Sequence, residues 1–136
     1  MDKTPEFNLI KDKKPIEIIK DYKNIFLNPF IHYLILECPL EDRNIKDYKK
    51  IENAYIVLIK IIMEYSNKFE ILLDISNYYE AVNKGLIKMK RAIPMWKVSA
   101  NGRVGYGFSL AEAICKLAIA LKYKVDLWKL KNRPRG

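Results

Sequence analysis

The chain has 136 residues, of which 50% are apolar and 30% charged, with 5 Gly and 6 Pro. That length sets a single domain, 1–136, without a separate catalytic lobe, and that composition excludes a disordered chain, a collagen-like repeat and a disulfide-built miniprotein. The formal charge of +9 is unevenly placed: residues 1–80 carry 12 basic and 14 acidic side chains, whereas residues 81–136 carry 13 basic ones against only Glu112 and Asp126. Such a basic half suits a polyanionic partner, a phosphate-bearing small molecule or nucleic acid. The competing reading is compositional: Lys, Ile, Asn and Tyr abound while Gln is absent, as A/T-rich codons produce, and the excess Lys is then solvated surface.

Pro15 opens a segment whose apolar residues, Ile16, Ile18, Ile19, Tyr22, Ile25 and Phe26, suit a helix that Asn28-Pro29 ends. Phe30 to Leu36, aromatic and β-branched between Pro29 and Pro39, predicts a buried strand. Residues 1–44 thus read as an N-terminal extension of helix plus strand. Tyr48, Ile51, Tyr55, Leu58, Ile59, Ile62 and Tyr65 recur at helical spacing, and Phe69, Ile71, Leu73 and Ile75 alternate as in a strand with one buried face. Within Asn77 to Arg91, Tyr78, Ala81 and Val82 hint at a short helix that Gly85 stops.

Asn101-Gly102 inside Met95 to Phe108 is a strong hairpin signal. A two-residue loop pairs Val98 with Gly105 and splits the apolar residues between faces. A three-residue loop, Ala100 to Gly102, pairs Val98 with Val104 and Trp96 with Tyr106 and gathers them on one face, so it is the register expected. Ser109 and Glu112 then form a capping box. Leu110, Ala113, Ile114, Leu117, Ala118 and Leu121 make the stripe of the helix that follows, with Lys116, Lys122 and Lys124 off the stripe or in the last turn. Residues 123–136 form a basic tail. The fold class is α+β: a small, mainly antiparallel sheet of about four strands layered with helices.

The run Trp96-Lys97-Val98, the turn at Asn101-Gly102, Gly107-Phe108-Ser109 and the stretch from Ala111 to Ala118 resemble the C-terminal signature of the phage ABA sandwich domain family. The resemblance covers roughly residues 45–122, the sandwich core, and departs from the family in the N-terminal extension, the Asn77 to Arg91 insertion and the tail. It implies a sheet layered with helices, a phage or prophage origin and the host cytoplasm. It implies no activity, and no catalytic residues carry over.

Cys38 and Cys115 have no CxxC partner and no adjacent His, so reduced thiols and no metal site are expected. No apolar run reaches the ~18 residues of a membrane span, and Met1 to Asn8 lacks a signal-peptide core, so a cytoplasmic protein is expected. The lone His32 lies in an apolar run and reads as a packed structural histidine. Glu41, Asp42 and Asp74 read as solvated acids. There is no HExxH, no P-loop and no Ser/His or Cys/His pair with an orienting group; no cofactor is expected and the protein reads as a non-enzyme.

In the three-residue register the hairpin's second face gathers Lys97, Ser99, Arg103, Gly105 and Gly107, an open basic surface where glycine amides, an arginine fork and a lysine could hold phosphate. The function expected is capture of a phosphate-bearing ligand such as a nucleotide immune signal, in an anti-defence role. The alternatives are a nucleic-acid accessory protein using Lys129, Lys131, Arg133 and Arg135, and an inhibitor or adaptor of a host protein. The edge strand of so small a sheet predicts a homo-oligomer.

Overall fold

The computed structural model describes residues 5–65 and 68–126. Helix α1 is Pro5–Ile10 and α2 is Pro15–Ile19, with Pro15 in its first turn. The expected helix does not continue to Phe26. The Asp21 carboxylate takes the backbone amides of Lys23 and Ile25, each at 3.1 Å, and Asn24 turns left-handed at φ 57°, so a side chain captures donors that a helix would need.

Asn28-Pro29 likewise lies inside α3, Leu27–Phe30, rather than ending a helix. In a first turn the missing proline N–H has no partner to lose. The expected strand at Phe30 to Leu36 is helical too. Ile31–Ile35 form a π-helical turn closed by Leu36 N–H donating to the Ile31 carbonyl at 2.8 Å. Ile31, His32, Tyr33 and Ile35 are all buried, so no polar face recorded a period in the sequence, and shortness alone does not separate strand from helix.

Helix α4, Ile51–Tyr65, buries Ala54, Val57 and Ile61. Strand β1, Glu70–Asp74, runs directly into α5, Ile75–Asn83, where the Asp74 carboxylate caps the helix by accepting from Ser76 N at 2.9 Å. Gly85, at φ 76°, stops α5 as expected. Gly85 N–H and Leu86 N–H return to the carbonyls of Val82 and Ala81 at 2.9 Å, the paired bonds of a Schellman ending.

Strands β2, Met95–Ala100, and β3, Arg103–Gly107, complete an antiparallel sheet in the order β1-β2-β3. Among the described residues the fold is α+β with three strands rather than about four, because the N-terminal candidate strand is helical. The hairpin register also differs from the expected one. Val98 pairs with Gly105, Trp96 with Gly107 and Lys97 with Tyr106, around a two-residue loop in which Asn101 and Gly102 have φ of 53° and 74°. Positive φ at both loop residues is what a type I′ turn requires. The three-residue loop was expected because it collects apolar residues on one face, but this sheet is covered on both. Helix α6, Leu110–Tyr123, packs on the face of Val98, Gly105 and Gly107, while α5 packs on β2 from the face of Met95 and Tyr106.

Helix α6 is the axis of the molecule: every residue from Ala111 to Leu121 is buried. The sheet, α4, α2 and the π-helical turn all pack on it. Its sequence stripe placed Lys116 outward, yet Lys116 is wholly buried. The N-terminal extension is woven into the same core through Ile10, Ile18, Ile19, Leu27, Phe30 and Ile31. Among the described residues, no helix is long and apolar enough to cross a membrane.

Candidate functional site

The two-residue turn dismantles the open phosphate face. A Cβ on Gly105 would lie 2.3 Å from the Ala113 carbonyl oxygen, and one on Gly107 2.5 Å from Ala113 N. These glycines are where the α6 backbone rests on the sheet, and their side is closed to any ligand. Lys97 and Ser99 point to the opposite face, where the Lys97 ammonium meets Glu80 at 2.9 Å. Lys97, Ser99 and Arg103 do share the wall of a shallow depression of about 320 Å³ at the hairpin tip, together with Lys68 and Glu70. Lys129, Lys131, Arg133 and Arg135 lie outside the described residues.

A larger cleft, about 1040 Å³, opens elsewhere, between the end of α2, the start of α6 and the segment after α5. Ligand clefts commonly span ~300–1,000 Å³. Its floor is aromatic. Phe108 stands edge-on to Tyr22, with centroids 5.7 Å apart, and 6.4 Å from the Tyr78 ring. Leu86, Ile87, Met89 and Ile93 extend the apolar surface, and the cations at the rim are Lys20, Lys88, Lys90 and Arg91, with no carboxylate among the lining residues.

The floor is held by bonds from below. The Tyr22 hydroxyl donates to the Tyr106 carbonyl at 3.2 Å, and the Lys116 ammonium lies 3.3 Å from the Tyr22 ring centroid. Lys116 is bound by Glu112 at 2.9 Å and by the Asp21 carbonyl at 3.1 Å. Burial lowers the Lys116 pKa more than the Glu112 charge raises it, and burial, seconded by Glu112, raises the Tyr22 hydroxyl well above its ordinary value. Glu112 also holds the floor at its other edge. Its second carboxylate oxygen accepts from Phe108 N at 2.7 Å, fixing the residue that supplies the cleft's exposed ring. The rim is fixed as well, because Lys90 N–H donates to the Tyr78 hydroxyl at 2.9 Å.

The predicted site and this cleft share no residue. The cleft draws on Asn77 to Arg91, which the sequence marked only as ambiguous, and on Lys20 and Tyr22 some 60 residues earlier. One signal was legible: Lys88, Lys90 and Arg91 alternate with Ile87 and Met89 just beyond a helix-stopping glycine. Asp74 and Asp42, expected as solvated acids, both have assigned bonds, Asp74 as the α5 cap and Asp42 to His32. His32 is packed, as expected, at 2% exposure. Compared with protein-family models, curated proteins and solved structures, the chain matches none.

Proposed function

We propose that this is a non-enzymatic binding protein that captures a phosphate-bearing ligand, a nucleotide by preference, in the cleft floored by Tyr22, Tyr78 and Phe108. One observation carries the reading: among the described residues, four cations and no carboxylate rim an aromatic and apolar floor. A nucleotide offers the complement, a flat base for the exposed Phe108 ring and phosphates for Lys88, Lys90 and Arg91. Base stacking on an aromatic side chain is worth ~1–3 kcal/mol, and a charge-assisted phosphate contact ~1.5–3 kcal/mol. The resemblance at Trp96 to Ala118 extends the reading to a phage-encoded protein that sequesters a nucleotide signal of host defence.

Thermal shift of the full chain against cyclic nucleotides, ADP-ribose and inorganic phosphate tests it. One nucleotide class should raise the melting temperature by several degrees. Arg91→Ala and Phe108→Ala, both at exposed positions, should each weaken that ligand roughly tenfold to hundredfold. No shift with any nucleotide at millimolar concentration overturns the reading. Salt-steep binding of DNA or RNA that flattens on truncation after Trp128 would instead favour the nucleic-acid alternative through the tail.

We also propose self-association through β1. Among the described residues its outer edge is unpaired in the sheet, and Ile71, Leu72 and Leu73 are each 48–52% exposed. Two-fold antiparallel pairing centred on Leu72 would oppose Glu70 to Asp74. Centring on Ile71 instead opposes Lys68 to Asp74 and Phe69 to Leu73, and is the favoured register.

A further inference from the structure

His32 lies at the centre of a second cluster, unrelated to the cleft. Its Nδ1 stands 3.0 Å from the Tyr48 hydroxyl and its Nε2 3.0 Å from Asp42 Oδ2. Cys38 joins them: one donor atom each from His32, Cys38 and Asp42 falls within 4.8 Å of the others. The sequence placed no histidine beside a cysteine because the ligands are spaced 32, 38 and 42, and only the local backbone closes that spacing. The π-helical turn at Ile31–Ile35 carries the ring, and Glu37 adopts φ 58°, left-handed for a non-glycine residue. Cys38 N–H then donates to the His32 carbonyl at 3.0 Å, which brings the thiol back toward the imidazole. A π-turn and a left-handed non-glycine residue both cost backbone energy, and both fall in the segment that carries these donors.

We propose that His32 Nε2, Cys38 Sγ and Asp42 form a three-ligand site for a zinc-class divalent cation, with the fourth position left to water. One imidazole, one thiolate and one carboxylate are a set that zinc accepts, whereas magnesium and calcium require oxygen ligands. At zinc bond lengths of ~2.0–2.3 Å, ligand atoms in a tetrahedron stand roughly 3.3–3.7 Å apart. The histidine and carboxylate therefore part by a few tenths of an ångström, and the thiol closes by up to about 1.3 Å. The second layer of contacts is already built. Asn44 N–H donates to Asp42 Oδ1 at 2.9 Å, and the Tyr33 hydroxyl donates to the Asp42 carbonyl at 2.6 Å. Tyr48 fixes the far side of the ring, the position at which metal-bound histidines make their orienting hydrogen bond.

The protons balance. In the metal-free neutral tautomer that lets the Asp42 carboxylate accept, Nε2–H donates to Asp42 and the Tyr48 hydroxyl donates to Nδ1. With metal on Nε2 the ring proton resides on Nδ1 and donates to the Tyr48 oxygen, while Cys38 releases one proton to solvent on becoming the thiolate ligand. The exposed flank of Asp42, whose side chain is 38% accessible, is the entry path.

The test is titration of chelator-stripped full-length protein with zinc by calorimetry, and with cobalt(II) by absorption. One equivalent should bind with a Kd of micromolar or below, and cobalt should show a thiolate-to-metal charge-transfer band. Cys38→Ser should abolish that band, and Asp42→Asn should weaken zinc at least tenfold. His32→Gln, at a buried position, is secondary, and the two other variants carry the test if it does not fold. Absence of stoichiometric zinc binding at tens of micromolar overturns the proposal, as does a cobalt band that survives Cys38→Ser. The trio is then only a hydrogen-bonded histidine and aspartate with a cysteine beside them.

Discussion

At the scale of single residues, Gly105 shows why a glycine in a strand can matter more than one in a turn. Its missing Cβ admits the backbone of α6, and the atoms that an added methyl would strike, Ala113 O and Leu117 N and Cα, cannot rotate aside. Gly105→Ala should cost ~1–3 kcal/mol or more, the range of overpacked cores, read as a lower urea midpoint at unchanged slope. Glu80 is the other instructive residue. Its Oε1 accepts from the Tyr106 hydroxyl at 2.7 Å and from Lys97 at 2.9 Å, tying α5 to the hairpin. Burial raises its pKa, but the bonds from Tyr106 and Lys97 together outweigh that, and the net shift is downward from the ordinary 4.5. A lowered carboxylate adds stability above its unfolded value and loses it as pH falls through the folded one. Wild type should therefore exceed Glu80→Gln by a constant amount above about pH 5.5, and the gap should shrink below about pH 4.5, as urea midpoints across pH would show. With the Glu80 side chain 41% exposed, the plateau should be ~1 kcal/mol or less.

At the scale of elements, α6 begins with only one half of the expected capping box, because Glu112 does not return to the Ser109 cap. Ser109 Oγ accepts from Glu112 N at 3.1 Å in the ordinary way. The Glu112 carboxylate reaches back one residue beyond the cap to Phe108 N, and also holds the buried Lys116 and the Asn24 amide. Ser109 and Glu112 therefore differ in weight. Ser109→Ala should cost ~1 kcal/mol. Glu112→Gln keeps an oxygen for Phe108 N but strands a buried ammonium, at ~3–5 kcal/mol, and pairing it with Lys116→Met should recover most of the loss. Equal costs for the two single variants in urea unfolding would contradict this difference. Because Lys116 also supports the Tyr22 ring, Glu112→Gln should loosen the cleft as well as the helix.

At the scale of the whole molecule, charge and apolar exposure divide the surface. The cationic cleft lies at one place, while α4 leaves Tyr55, Ile59 and Ile62 at 44–58% exposure and β1 leaves its three apolar residues half open. Exposed apolar residues of that kind at a sheet edge suit a contact surface. Light scattering at high concentration should give a mass of at least twice the 16.0 kDa chain, and Ile71→Lys should return it to the monomer. A wild-type mass of 16.0 kDa at high concentration would remove the β1 pairing.

The sequence by itself determined that α4 and β1 exist, the stop of α5 at Gly85, the hairpin's existence and the Ser109 cap. Each is written in local chemistry: a period, a turn dipeptide, a cap at fixed spacing. It did not determine which faces are buried: the expected stripe Ile51, Tyr55, Ile59 and Ile62 of α4 is exposed, and β1 has no buried face where one was expected. It also located the basic half that supplies three of the four cleft cations. The tertiary structure decided the hairpin register against the one-face argument: Asn101-Gly102 suits the two-residue type I′ turn, and with α6 on one face and α5 on the other the apolar residues need not gather on a single side. It decided that Phe30 to Leu36 is helical, because a run buried on all sides keeps no polar residue to mark its period. It decided that Lys116 is buried, because Glu112 and Tyr22 compensate a charge that the helix pattern could only place outward. The cleft and the His32 cluster fell to the same level: their residues stand far apart in the chain or at no recognised spacing, and only packing around α6 and a π-helical turn bring them together.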